Sequence, residues 1–178
     1  MSLRYKLHKA QTLIDALAPV ERDELKRICE TIQSSQADLL QNAEPAMHQC
    51  IHNCEGLCCR NAQVDDIIGL WDLVFILTLT PDLRETMTDR VAEEKPFYSA
   101  DCLFLQSRIG PCIFASDIRP EVCVTTFCSG DTGIQKEIRA VKRQFFRLPW
   151  FFFKRRPRVV WTALQEAWKT GGFQVRDR

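Results

Sequence analysis

The sequence predicts a mainly α-helical small domain built around a loop-rich, cysteine-ligated metal centre. Three observations predict it. Apolar residues recur at helical spacing toward both ends of the chain, a central stretch is broken by proline and glycine, and eight of the nine cysteines fall within residues 50–128.

At 178 residues the chain suits a single domain, 1–178, and 46% hydrophobic with 26% charged residues is a globular composition. Its texture divides it into N-terminal helices over 1–45, a cysteine-cluster core over 46–130 and a basic, aromatic-rich helical end over 134–178. No repeat and no low-complexity tract interrupts this order.

Residues 4–18 carry Leu7, Ala10, Leu13, Ile14 and Leu17 near one helical face, and Pro19 is expected to end the helix. A second helix is expected over 21–33, with Leu25, Ile28, Cys29 and Ile32 facing one way. The stretch "SSQADLLQNAEP" is expected as a short third helix or a loop leading to Pro45. "IIGLWDLVFILTL", Ile67–Leu79, is expected as one buried helix capped by Asp65 or Asp66; it is too short to cross a bilayer and contains Asp72. Thr80-Pro81-Asp82 opens a further helix that runs to Glu94. Between Lys95 and Gly133, Pro96, Gly110, Pro111, Pro120, Gly130 and Gly133 exclude any long element. Helices are expected again over 134–147 and 158–169, with Pro149 turning the chain between them.

"CIHNCEGLCC" places Cys50, Cys54, Cys58 and Cys59 within ten residues. Cys102, Cys112, Cys123 and Cys128 follow at spacings of 10, 11 and 5. Each four-residue step on a helix drifts by about 40°, so Cys50, Cys54 and Cys58 can share one face while Cys59 points to other partners. The N-terminus has no apolar secretory core, which predicts a cytoplasmic protein whose thiols stay reduced. An odd cysteine total also argues against complete pairing within the chain. Metal ligation is the economical use that remains.

Structural zinc takes four sulfur or imidazole ligands, and an iron–sulfur cluster commonly takes four thiolates. The two groups of four cysteines can fill one site each, or interleave and so tie 102–128 to 50–59. Cys29 stands apart and reads as a small buried hydrophobe. His48 and His52 flank the first cysteines and are expected in surface or packing roles.

These residues carry a resemblance. "CIHNCEGLCC" followed by "CLFLQSRIGPCIFASDIRPEVCVTTFC" resembles the YkgJ-type cysteine-cluster family, described as zinc- or iron-chelating domains. The shared features are the Cys58-Cys59 pair, Cys102 with Phe104-Leu105, Gly110 to Phe114, Arg119-Pro120, and Cys123 with Cys128. Two positions depart from the pattern: Leu103 stands where the family often has proline, and Val124 where it often has arginine. The resemblance covers about residues 50–128 and implies metal or iron–sulfur binding without supplying a reaction. Related cysteine segments in larger enzymes favour an iron–sulfur cluster of the [4Fe–4S] type over zinc. Either centre leaves a charge near −2 with four thiolates, which Arg60, Arg108 and Arg119 are expected to offset in part.

Charge is unevenly spread. From Lys136 to Arg178 there are 12 Lys and Arg against 3 Asp and Glu, while residues 1–135 hold 12 basic and 20 acidic groups. Within the basic end, 145–158 ("FFRLPWFFFKRRPR") interleaves aromatics with cations. The simplest expectation is that the aromatics close the core and the cations are solvated or face the acidic front of the chain. The same stretch is a candidate for peripheral membrane contact; no nucleic-acid motif supports a third use.

Function classes follow from these motifs. The leading expectation is a metal-binding module with a structural or electron-transfer role and an unidentified protein or redox partner. A redox enzyme is the alternative, though G-x-G-x-x-G, P-loop, Ser-His-Asp and H-E-x-x-H signatures are all missing. A zinc-folded adaptor that binds a partner or membrane through its tail is the third class.

Overall fold

Leu3, Leu7, Ala10 and Leu13 form the buried stripe of helix α1, Leu3–Asp15. The computed structural model describes residues 1–44, 64–93, 102–106, 111–126, 133–157 and 161. Among these the regular structure is helical, with one isolated β-bridge, so the mainly α expectation holds. Cys50, Cys54, Cys58, Cys59, Cys128, His48, His52 and most of the expected 158–169 helix lie outside the described residues.

Pro19 begins a helix instead of only ending one. It stands in the first turn of α2, Pro19–Asn42, where a missing N–H costs nothing. The Ala18 N–H donates to Glu21 Oε2 at 2.9 Å and closes that end. The expected break after Gln33 is absent. Gln36 and Leu39 continue the buried series of Leu25, Ile28, Cys29 and Ile32, so "SSQADLL" extends α2. Ser35 is accommodated in mid-helix because its hydroxyl donates to the Thr31 carbonyl at 3.0 Å.

The expected single helix over 67–79 is two pieces. A one-turn helix α3, Val64–Ile67, is followed by Gly69 and then α4, Leu70–Leu79. Neither Asp65 nor Asp66 caps α4. Asp72 does so from inside, its Oδ2 accepting the Gly69 N–H at 2.7 Å. Asp65 instead accepts the Leu3 N–H, and Lys6 Nζ donates to the carbonyls of Asp65 and Ile68, the latter at 2.8 Å. Burial of the Lys6 ammonium lowers its pKa despite the carboxylates nearby.

Helix α4 buries six consecutive residues, Asp72 to Leu77. A helix buried all round must sit inside the domain. It packs on α1, on α2 and on the last described helix. Helix α5, Leu83–Ala92, buries Met87 and Val91 and packs on α1. Arg84 pairs with Asp15 across that contact.

Within the cysteine segment lies a one-turn helix, α6, Glu121–Thr125; α7, Gln135–Phe145, and α8, Arg147–Arg155, come later in the chain. Pro149 does not turn the chain. Phe146 keeps right-handed helical angles (φ −63°, ψ −17°), and Pro149 lies in the first turn of α8, where its N–H would have no helical partner. Phe145 and Phe152 meet the central helix: the Phe75–Phe145 centroids are 5.1 Å apart and the Trp71–Phe152 centroids 5.6 Å. Phe145, Phe151 and Phe152 therefore close the core, whereas Phe146, Trp150 and Phe153 face solvent. Among the described residues no helix is long and apolar enough to cross a membrane.

Candidate metal centre

The described part of the cysteine segment is built from backbone ties, since its proline-rich sequence offers no helical stripe. Cys102 opens a turn in which its carbonyl accepts the Leu105 N–H at 3.1 Å. The Gln106 N–H then donates to Pro111 O at 2.9 Å, and the Ile113 N–H to Phe104 O at 2.9 Å. These two bonds flank the antiparallel Leu105–Cys112 bridge. Phe104 and Phe114 dock beneath it with ring centroids 4.8 Å apart, both buried.

Arg90, in the last turn of α5, fastens this structure from outside. Its Nη1 donates to Leu103 O at 2.9 Å and to Leu105 O at 2.7 Å. Cys102 and Cys112 end up half-buried against the core and close enough for their charges to interact. Burial pushes the Cys102 thiol up and the neighbouring Cys112 pushes the same way. The Phe104 N–H and the Arg90 charge oppose them. Without a cation to bind, such a thiol keeps its proton; a metal ion would displace it.

Cys123 sits on α6 and is exposed, with its N–H donating to Pro120 O at 2.9 Å. Three side chains of the helical body fix this stretch. Gln33 Nε2 donates to Asp117 Oδ2 at 2.8 Å. Gln36, fully buried, donates from Nε2 to Arg119 O at 2.9 Å and accepts the Arg119 N–H on Oε1 at 3.3 Å. Asp72 Oδ1 accepts the Glu121 N–H at 2.7 Å. Val124, at the position where the resembling pattern often carries arginine, is buried in the core.

Of the eight expected ligands, the described residues include Cys102, Cys112 and Cys123. Both Cys102 and Cys112 belong to the one turn-and-bridge unit, Cys102 opening the turn and Cys112 pairing with Leu105. Among the described residues no three His, Cys, Asp or Glu side chains gather into one group, so these three cysteines do not by themselves make a metal site. Cys29 lies in the apolar core between α2 and α4, its thiol pushed up to about 12 by burial. Of the arginines expected to offset charge, Arg60 and Arg108 lie outside the described residues. Arg119 has its Nε buried without a hydrogen-bond partner among them. Arg90 was not singled out in the sequence. Its only signal is a basic residue in the last turn of the helix that precedes the segment.

No family model, curated protein or solved structure matches the chain.

Proposed function

We propose that this protein is a metal-binding module of the YkgJ type. Cys50, Cys54, Cys58, Cys59, Cys102, Cys112, Cys123 and Cys128 are its thiolate ligands, in the reducing environment of the cytoplasm. The observation that carries the reading is that one turn and its bridge, held by Arg90, carry both Cys102 and Cys112. A pair of half-buried thiols next to a guanidinium fits one side of a thiolate-rich centre, whose negative charge the arginine moderates. When bound, an iron–sulfur cluster would supply one-electron transfer, and zinc would supply cross-linking alone. The chain's own part is to hold the loop so that the sulfurs are presented on a fixed backbone.

The test is metal and sulfide analysis of protein purified without oxygen, together with its visible spectrum. Iron with acid-labile sulfide and broad visible absorbance supports the cluster; stoichiometric zinc in a colourless protein supports the zinc form. Cys102→Ser and Cys112→Ser should each lower the bound metal. A wild-type protein that holds neither metal, or serine variants that keep full occupancy, would overturn the proposal.

A further inference from the structure

Helices α7 and α8 are apolar on two opposite sides. Inward, Val141, Phe145, Leu148, Phe151 and Phe152 are buried in the core. Outward, Phe146 is 72% exposed, Trp150 51% and Phe153 41%. At 100° per residue, Phe146, Trp150 and Phe153 fall within about 60° of one another around the helix, directly away from the core. Trp150 and Phe153 stack with centroids 5.9 Å apart and planes 15° from parallel. The outward face is thus an ordered aromatic stripe, not scattered exposure.

Charge accompanies it. Arg143, Arg147 and Lys154 are exposed beside the stripe, and Lys154 Nζ stands 5.3 Å from the centre of the Trp150 ring. Among the described residues no carboxylate lies within 4 Å of Arg143 or Arg147. The basic run that follows behaves differently. Arg155 is bound to Glu21 and Glu24, and Arg156 donates to Ala16 O, so both are used within the fold. The cations that look outward with the aromatics are those at 143, 147 and 154.

We infer that this face is a docking surface for an anionic phospholipid membrane. A bilayer interface offers hydrocarbon and phosphate at adjacent depths, which is the pairing an aromatic stripe with an exposed basic rim requires. The stripe lies on a convex helical surface and can rest in the plane of the interface, while the Lys154 stem lets its ammonium reach the headgroups. The inference is independent of the metal proposal, because no cysteine contributes to the surface.

The experiment is co-sedimentation of the full chain with vesicles of phosphatidylcholine alone and of phosphatidylcholine mixed with phosphatidylserine, at rising salt. Two variants accompany it: Phe146→Ser/Trp150→Ser/Phe153→Ser and Arg143→Glu/Arg147→Glu. Wild type should bind the phosphatidylserine vesicles and weaken with salt. The aromatic variant should lose binding to both compositions, and the charge variant should lose about tenfold or more on the anionic vesicles. Both variants should retain the wild-type unfolding midpoint within a few degrees, which separates lost binding from lost folding. Absence of wild-type binding to anionic vesicles at low salt would overturn the inference, as would equal binding by both variants. A concentration-dependent dimer that the aromatic variant abolishes, without vesicle binding, would assign the face to a second copy instead. Retention of single-stranded oligonucleotides without vesicle binding would assign it to nucleic acid.

Discussion

Asp72 and Glu121, 49 residues apart in the chain, are joined by a 2.7 Å hydrogen bond from the Glu121 N–H to the Asp72 carboxylate. The other oxygen of that carboxylate caps its own helix at Gly69. One buried group thus starts the central helix and fixes the short helix that carries Cys123.

The Asp72 carboxyl is pushed up to about 6, chiefly by burial, against the two N–H donors and Lys6, which favour the charged form. It holds its proton more tightly folded than unfolded. Its contribution to stability is therefore fully present below its ordinary value of 3.8 and is lost as pH rises through about 6. The change amounts to at most about 3 kcal/mol. Asp72→Asn cannot titrate, so the gap between wild-type and variant unfolding free energies should widen as pH falls from about 6 toward 4. Denaturant unfolding at several pH values reads this. A constant gap would mean the carboxylate stays ionised in the fold.

Gln36→Leu should destabilise the protein by about 2–3 kcal/mol, since the Arg119 N–H and carbonyl would both lose their buried partner. For a domain of this size that is a fall of several degrees in Tm. An unchanged midpoint would show that the Arg119 backbone finds water instead.

Arg90→Met keeps much of the side-chain bulk but removes both hydrogen bonds that Nη1 donates to Leu103 O and Leu105 O. The expected cost is about 2 kcal/mol, with faster labelling of half-buried thiols by a maleimide. Thiol labelling at the wild-type rate would limit Arg90 to a surface role.

Phe152→Ala should cost about 3–5 kcal/mol, because the ring is fully buried against Trp71. Trp150→Ala should change stability by less than about 1 kcal/mol, since the indole faces solvent. Thermal unfolding of the two variants side by side decides it. A larger loss for Trp150→Ala would reverse the assignment of the two faces.

The elements legible in the sequence were those whose own residues carry the signal. The stripe of Leu7, Ala10 and Leu13, and that of Leu25, Ile28 and Ile32, announced α1 and the first half of α2 through local periodicity. The irregular centre was legible from its prolines and glycines. Other readings failed for physical reasons. Pro19 and Pro149 read as breaks in the sequence, although proline fits the first turn of a helix as readily as it ends one. The apolar run from Ile67 hid the interruption at Gly69, because both pieces are buried and hydrophobicity alone is blind to the gap. At the candidate site the cysteines were visible, but their supports were not. Gln36 and Arg119 are 83 residues apart, and nothing beside Gln36 in the chain marks it as polar glue for a distant loop.

The central position of α4 sets an order of assembly during synthesis. Helix α1 packs most extensively on α4, and α2 also rests on it. The polar ties of α1 likewise reach forward, from Leu3 and Lys6 to Asp65 and Ile68. While the ribosome has delivered α1 and α2 but not α4, the apolar stripe of α1 has no complete partner. That stripe lacks its main partner until residues 70–79 emerge, which makes the nascent α1–α2 segment a natural client for a chaperone and the stretch before α4 a hazardous place to stall translation.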